Sequence, residues 1–206
     1  METFDLFDTG SPEVLPVPDG DVVLFQSVEL GESPDTILAK LIEEIHWRQE
    51  QITVWGKRHM QPRLLCWQGD SRQSYSYSGS TLVAEPFNQT VLQLKAVVEA
   101  LTATRYNSVL LNYYRDNNDR MGFHSDDEPE LGAQPTIASL SLGAERTFVM
   151  KHKRERRLKP IKIPLRTASL LLMRGDTQKN WLHGINRESA PCGPRINLTF
   201  RTIFEV

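Results

Sequence analysis

The chain has 206 residues, 39% of them hydrophobic and 24% charged, and a formal net charge of −2. These values are ordinary for a soluble globular protein with one domain and a substantial core. No apolar run approaches the roughly 20 residues of a membrane span, and the N-terminus shows no secretion signal. The two cysteines, Cys66 and Cys192, form neither a CxxC pair nor a disulfide framework, which favours structural thiols in a reducing compartment.

Charge is distributed unevenly along the chain. Residues 1–50 contain 12 acidic and 2 basic residues, whereas residues 51–206 contain 14 acidic and 22 basic residues. The first 20 residues also combine proline, glycine and acids, so we expect a flexible acidic leader over 1–20 and a single domain over 21–206. The basic body is compatible with a polyanionic partner.

The first half of the domain is predicted to contain two helices. A short apolar run at 22–25 indicates a strand before them. Ser33, Pro34 and Asp35 then provide a capping hydroxyl, a proline at the first helical position and an acid in the first turn. A second helix is predicted over about 88–103, with Asn88 as its cap.

The second half is predicted to be rich in β-strands. Short runs with many β-branched residues, separated by Gly, Pro and Asp, occur at 106–114, 136–142, 147–152, 161–165, 169–174 and 195–204. Helices followed by many strands predict an α+β, mainly β fold, which is a barrel or jelly roll with helical support on one side.

A candidate metal site lies at the end of a predicted strand, in 122-GFHSDDE-128. Residues two apart on a strand share a face, so His124 and Asp126 can offer an imidazole and a carboxylate to one ion. His183, on a later β segment, would complete a 2-His-1-carboxylate triad. Taken alone, a His-x-Asp pair is more often a structural or surface feature than a metal site. The other histidines lack a carboxylate two positions later and are interpreted as structural or surface residues: His46, His59 and His152.

The C-terminal segment 195-RINLTFRTIFEV-206 alternates between two faces. Arg195, Asn197, Thr199 and Arg201 share one face, opposite apolar residues. Two arginines facing a barrel interior require an anionic partner, and a dicarboxylate suits an arginine fork. The alternative is a strand with one solvated face.

Considered together, these motifs resemble the AlkB family of Fe(II)/2-oxoglutarate dioxygenases. The segment 111-LNYYR-115 adds to the likeness, because it is similar to the Asn-x-Tyr element of that family. The resemblance covers about residues 50–206 and implies a double-stranded β-helix core over about 105–206. It implies that His124, Asp126 and His183 bind iron. It assigns 2-oxoglutarate to one set of residues: Asn112, Tyr114, Arg195, Asn197, Thr199 and Arg201. Arg195 would meet the distal carboxylate and Arg201 the carboxylate beside the keto group.

Aromatic residues between the helices suggest how a base would be recognised. The segment 54-VWGK-57 is similar to a short hairpin of DNA-repair members, where Trp55 could wedge into the base stack. The segments 66-CWQGD-70 and 75-YSYSG-79 resemble part of the family's nucleotide-recognition lid, placed here at about 50–85. Trp67, Tyr75 and Tyr77 are the candidate base contacts. Gln68 stands where the family has an aromatic residue just before Gly69, so it stays open whether Trp67 stacks on the base. Core packing is the alternative for Trp55 and for one of the two tyrosines.

Charged residues supply two further substrate candidates. Basic side chains crowd the connection between two predicted strands, including Lys153, Arg154, Arg156 and Arg157. A solvated surface would explain them, but phosphate neutralisation is the usual source of nucleic-acid affinity. Glu128 lies two residues after Asp126, and a carboxylate there suits the cationic base left by alkylation at N1 of adenine or N3 of cytosine.

The resemblance implies oxidative demethylation of N-alkylated bases such as 1-methyladenine and 3-methylcytosine in single- or double-stranded DNA, with RNA as an alternative polymer. Formaldehyde would be released as 2-oxoglutarate and O₂ are converted to succinate and CO₂. One alternative keeps the chemistry and changes the substrate to RNA, a protein side chain or a small molecule. Another is a nucleic-acid-binding module without catalysis. We expect a monomer with no membrane partner, cytoplasmic in a bacterium and nuclear or cytoplasmic in a eukaryote.

Overall fold

The computed structural model describes residues 11–54, 57–70, 74–77 and 80–204. Three helices occur in this part of the chain: α1 (Pro34–Glu44), α2 (Gln89–Thr102) and the single turn α3 (Thr177–Asn180). A 3₁₀ turn spans Pro129–Leu131. The strands are β1 (Glu13–Val14), β2 (Asp21–Phe25), β3 (Gln51–Val54), β4 (Lys57–Met60), β5 (Leu64–Gly69), β6 (Ser74–Tyr77), β7 (Ser80–Val83), β8 (Ser108–Tyr114), β9 (Met121–His124), β10 (Ile137–Gly143), β11 (Arg146–His152), β12 (Ile161–Leu165), β13 (Leu170–Arg174), β14 (Trp181–Ile185) and β15 (Arg195–Arg201).

Two antiparallel sheets form the body of the domain. The larger has the order β1-β2-β13-β10-β15-β8-β5, and the smaller has the order β12-β11-β14-β9. One apolar cluster joins α1 and α2 to the outer face of the larger sheet, through Leu41, Leu94 and Leu198. A second cluster contains inward residues of both sheets, such as Leu171 and Phe148. This arrangement confirms the predicted jelly roll with helices on one side.

Both long helices begin at the predicted residues. The Ser33 hydroxyl accepts a hydrogen bond from the Thr36 backbone N–H at 3.2 Å. The Asn88 side chain accepts from the Val91 backbone N–H at 2.8 Å. Each cap satisfies an N–H group that has no partner within its helix, so it defines where the helix starts.

Residues 11–20 differ from the expected flexible leader. Strand β1 pairs with β2, and Val17 is 6% exposed. The Trp181 indole N–H donates to the Pro18 carbonyl at 2.8 Å. This stretch therefore belongs to the folded domain, because the larger sheet extends to it and buries part of its apolar surface. Residues 1–10 lie outside the described residues.

The range predicted as a lid, about 50–85, contains two kinds of structure. Strands β3 and β4 pair with each other, as do β6 and β7, and each pair forms its own two-stranded sheet. Strand β5 instead pairs with β8 at the edge of the larger sheet. The central part of the predicted lid is therefore a strand of the core sheet. Among the described residues, no helix has the length and apolar character needed to cross a membrane.

Candidate metal and cosubstrate site

Three potential metal ligands converge between the two sheets. His124 ends β9 and His183 lies directly opposite it on the neighbouring strand β14. Asp126 follows β9 by two residues, and its Oδ1 lies 3.7 Å from Nε2 of His124. One ligand atom from each residue lies within 4.8 Å of the others. Strand pairing thus brings together two segments that are far apart in sequence, as the predicted triad requires.

Hydrogen bonding and burial prepare these ligands to bind a cation. Nδ1 of His124 lies 3.0 Å from the Gly122 carbonyl, so a proton on Nδ1 leaves the Nε2 lone pair facing Asp126. Burial, with the nearby charge of His124, lowers the pKa of His183 to about 3, which keeps this imidazole neutral. Burial alone would raise the pKa of Asp126, but the charges of Arg201 and both histidines outweigh it and lower the pKa to about 2. Metal ligands must be deprotonated, and His183 and Asp126 meet that condition at neutral pH.

The ligand set is held in place by its neighbours. Nη2 of Arg201 donates to both oxygens of Asp126, at 2.9 and 3.0 Å. The Asp126 backbone N–H donates to Oε1 of the buried Gln178 at 3.0 Å. The Phe148 ring stacks on His183 with 5.1 Å between centroids. These contacts limit the movement of the carboxylate and of one imidazole.

A buried positive charge, that of Arg195, lines the same cavity. Arg195 is 1% exposed, and its Nη2 donates to the Ser141 hydroxyl at 3.0 Å. Nε and Nη1 of Arg195 have no hydrogen-bond partner within the part of the chain that the structure describes. The guanidinium carbons of Arg195 and Arg146 lie 5.0 and 5.5 Å from the Tyr114 ring centroid. Burial, together with the charge of Arg146, lowers the pKa of Arg195. Such a charge is stabilised by an anion, for which the two N–H groups of Arg195 are donors.

The polar face of β15 lies within the domain, and no residue of this strand is exposed to solvent. The Asn197 amide donates to the Ser139 hydroxyl at 2.8 Å and accepts from the Thr199 hydroxyl at 2.9 Å. Arg195, Asn197, Thr199 and Arg201 all line the cavity that contains the three metal ligands. The alternative of a solvated strand face is therefore wrong.

The other predicted cosubstrate residues occupy two different positions. Tyr114 lines the cavity and is 1% exposed. Asn112 is directly opposite Asn197 in the sheet but does not line the cavity. Its side-chain oxygen accepts from Nε of the buried Arg63 at 2.7 Å. The role of Asn112 toward 2-oxoglutarate remains a prediction.

Several residues that shape this site were not predicted from the sequence. Ser139 and Ser141 lie on β10 and hydrogen bond to the polar face of β15. Their spacing of two within the otherwise apolar segment 137-IASLSLG-143 is a signal that could have found them. Arg146 is buried, and its guanidinium donates hydrogen bonds to backbone carbonyls of residues distant in sequence. No local pattern therefore indicates its position.

The predicted base contacts are only partly described. Trp55 lies outside the described residues, although the pairing of Val54 with Lys57 agrees with the predicted hairpin around it. Tyr75 and Tyr77 lie on β6, of which the backbone alone is described. Trp67 is 5% exposed, and its indole N–H donates to the Ser108 hydroxyl at 2.6 Å. The structure thus places the Trp67 ring in the apolar cluster between the sheets.

Glu128 follows the metal ligand Asp126 by two residues and does not line the cavity. Oε2 of Glu128 is buried and has no hydrogen-bond partner among the described residues. The basic hairpin, residues 153–160, joins β11 to β12 and exposes Arg154, Arg156 and Arg157. Lys153 is instead half-buried, and its Nζ donates to Oδ2 of Asp127 at 2.8 Å. The hairpin therefore begins beside the segment that carries Asp126.

The residues present fit both a metal ion and a dicarboxylate. Two imidazoles and one carboxylate form a donor set that suits Fe(II) and leaves coordination positions open. The unpartnered N–H groups of Arg195 fit an anionic ligand in the same cavity.

Comparison with known proteins agrees with this geometry. Residues 12–201 match the family model described as 2OG-Fe(II) oxygenase superfamily. The chain is 41% identical over 185 residues to alpha-ketoglutarate-dependent dioxygenase alkB homolog 3 of Mus musculus, covering 86% of this chain and 64% of that protein. It is 36% identical over 187 residues to DNA oxidative demethylase ALKBH2 of Homo sapiens, covering 88% of this chain and 71% of that protein.

A solved structure shares the fold of this chain. The solved structure of OsALKBH1 superimposes with a TM-score of 0.60 at 16% identity, covering 93% of this chain and all of that chain. This chain spans a little less than two thirds of the mouse relative, at 64% of its length. The match over 12–201 and the identity to these relatives show that the chain belongs to the 2OG-Fe(II) oxygenase superfamily, within the AlkB family, whose chemistry uses Fe(II), 2-oxoglutarate and O₂.

Proposed function

We propose that this protein oxidatively demethylates N-alkylated bases in nucleic acid. The observation that carries the proposal is a single cavity in which the His124–Asp126–His183 triad lies with the buried, partly unpartnered Arg195. When bound, Fe(II), 2-oxoglutarate and O₂ supply the oxidation of the N-methyl carbon, which leaves as formaldehyde, while succinate and CO₂ form from the cosubstrate.

The chain contributes binding and orientation. Nε and Nη1 of Arg195 are the donors for the distal carboxylate of 2-oxoglutarate, and Ser141 fixes the guanidinium from its other side. Arg201 holds Asp126 in place and also lines the cavity, so it is suitably placed for the carboxylate beside the keto group. These donors are positioned by the fold before the cosubstrate arrives, which reduces the cost of ordering them.

Two features support a base in nucleic acid as the substrate. The buried Oε2 of Glu128 has an unused acceptor position, which suits the amine and the positive charge of an alkylated adenine or cytosine. Arg154, Arg156 and Arg157 are exposed, and in the described part of the chain none of them forms an ion pair with a carboxylate. Their charges are available for phosphates. The name of the human relative, a DNA oxidative demethylase, supports DNA as the polymer.

A formaldehyde-release panel tests the proposal. Purified protein with Fe(II), 2-oxoglutarate and ascorbate is given 1-methyladenine or 3-methylcytosine in single-stranded DNA, duplex DNA and RNA. We expect release from at least one methylated polymer and none after Asp126→Ala. Equal signals from Asp126→Ala and the unmodified protein, or no release from any polymer, would sink the proposal.

The alternative substrates predict a different pattern. A hydroxylase of protein side chains or small molecules would form succinate at a rate independent of added oligonucleotide. Replacing the three exposed arginines of the basic hairpin with glutamate would then leave that rate unchanged. For a base demethylase, the same variant reduces turnover on oligonucleotides, because like charges repel the backbone. The proposal includes a monomer that acts where the genome lies, in the bacterial cytoplasm or in the eukaryotic nucleus and cytoplasm, and sizing by light scattering tests the monomer.

A further inference from the structure

We infer that Lys153 is a positioning residue that ties the basic hairpin to the ligand loop, defined as residues 125–128, and that it is not a phosphate contact. The part concerning the metal site rests on the hydrogen bonds of Lys153 and of Asp126. The part concerning phosphate rests on the proposed function. Lys153 thereby differs from the three arginines that follow it in the same charged run.

The ammonium group of Lys153 already donates two hydrogen bonds within the protein. Nζ donates to Oδ2 of Asp127 at 2.8 Å and to the Gln178 carbonyl at 2.8 Å. The Lys153 backbone N–H donates to the Asn180 carbonyl at 2.7 Å. Its side chain is 22% exposed. A lysine ammonium has three donors, so two directed bonds fix it in one place and leave little capacity for a phosphate.

Both partners of this ammonium connect directly to the metal ligand Asp126. Asp127 is the next residue in the chain, and Gln178 accepts a hydrogen bond from the Asp126 backbone N–H. Gln178 is 1% exposed and therefore has little room to rearrange. Lys153 thus holds the ligand loop in two ways. It bonds directly to the Asp127 side chain, and it bonds to Gln178, whose side chain accepts from the Asp126 backbone N–H.

The arginines of the hairpin contrast with Lys153. Arg154, Arg156 and Arg157 are exposed, and their side chains make no ion pair in the described part of the chain. Nδ1 of His152 accepts from the backbone N–H groups of Arg154 and Glu155, at 3.2 and 2.8 Å, which shapes the turn. The hairpin therefore combines free cations at its tip with one committed cation at its base.

Metal affinity provides the first measurement, made by calorimetry with Mn(II) and 2-oxoglutarate without oxygen. Residues that directly contact a metal ligand typically change affinity about 10- to 100-fold, and Lys153 is one contact further away, so we expect Lys153→Met to weaken binding about threefold to tenfold. Lys153→Arg keeps the donors and retains most of the affinity. Asp127→Asn, at a side chain that is 56% exposed, weakens binding by less than Lys153→Met. The double variant binds as Lys153→Met alone does, because both changes break the same contact.

Nucleic-acid binding provides the second measurement, as the salt dependence of affinity for a fluorescent single-stranded oligonucleotide. Arg156→Met should reduce the slope by about 0.7, the value of one phosphate contact on a single strand, without changing Mn(II) affinity. Lys153→Met should leave the slope unchanged. The inference is overturned if Lys153→Met lowers the slope as Arg156→Met does, or if it leaves Mn(II) affinity unchanged. If the unmodified protein binds no oligonucleotide, the proposed substrate is wrong, and the Mn(II) series still decides the role of Lys153.

Discussion

Replacing Gly184 with alanine should disturb the metal site, because β14 and β9 leave no room for a side chain there. A Cβ atom on Gly184 would lie 2.9 Å from the Met121 carbonyl oxygen and 3.2 Å from that of Gly122. Both oxygens belong to the backbone of β9 and cannot rotate away. Ordinary contact begins at 3.4 Å, so the strands must separate by up to about 0.5 Å. These strands carry His124 and His183.

The size of the effect follows from this displacement. Overpacking costs about 1–3 kcal/mol, and the stiffer unfolded chain offsets about 0.4–1 kcal/mol. We therefore expect the free energy of unfolding of Gly184→Ala to fall by about 1–2 kcal/mol. Functional sites must be held within about 0.5 Å of their working geometry, and this displacement reaches that limit. The affinity for Mn(II) should therefore fall about tenfold, or about 1.4 kcal/mol.

Gly122→Ala is the matched control for this prediction. Gly122 lies on the facing strand β9, and a Cβ atom there would meet nothing within 4 Å. Both variants are compared by denaturant unfolding without metal and by calorimetry with Mn(II). We expect Gly122→Ala to bind Mn(II) as the unmodified protein does. Equal stability and equal affinity of the two variants would refute the idea that this close approach maintains the ligand geometry.

Three further predictions follow from the buried groups. Arg195→Met should weaken 2-oxoglutarate binding about 10- to 100-fold, because about 1.5–3 kcal/mol of charged hydrogen bonding is lost. Calorimetry should show an unchanged affinity for Mn(II). If the variant kept its affinity for 2-oxoglutarate, Arg195 would not be part of the binding site. Hydrogen bonds from Lys95, Tyr106 and Arg105 overcome the effect of burial and lower the pKa of Glu99. Its stabilisation is therefore present above the ordinary glutamate pKa and is lost as the pH falls through the lowered value. Glu99→Gln should reduce the free energy of unfolding by about 1–3 kcal/mol at neutral pH, and the two proteins should converge in acid; a constant difference would contradict this account. Burial, followed by the charge of Glu85, raises the pKa of the Cys66 thiol to about 12, so a thiol reagent should label the partly exposed Cys192 quickly and Cys66 only after unfolding, as mass spectrometry can show.

Several parts of the molecule could be predicted because their signals are local. A strand alternates its side chains with a period of two, so the spacing along 195–201 indicated which residues share a face with Arg195. The helix starts at Ser33 and Asn88 were predictable because a cap bonds to a residue three positions later. The His124–Asp126 spacing indicated two of the three metal ligands in the same way.

Other parts could not be predicted because their partners are distant in the chain. Lys153 and Arg156 belong to one basic run, and only contacts 25 and 26 residues away show that Lys153 is committed to Gln178 and Asp127. Trp67 matched a lid motif, yet its strand pairs with β8 and its ring is buried. Residues 11–20 have a composition typical of flexible segments, but Glu13 and Val14 pair with β2 as the edge strand of the larger sheet.

The sequence by itself determined the ligand types, their order and the alternation that directs the arginines of β15 inward, since these depend on residue chemistry and strand period. The tertiary structure alone decided which strand lies opposite His124, which guanidinium has free donors and which cation of the basic hairpin is already bonded. Pairing between distant segments and burial depend on the whole chain, because a buried charge or donor is defined by everything that surrounds it.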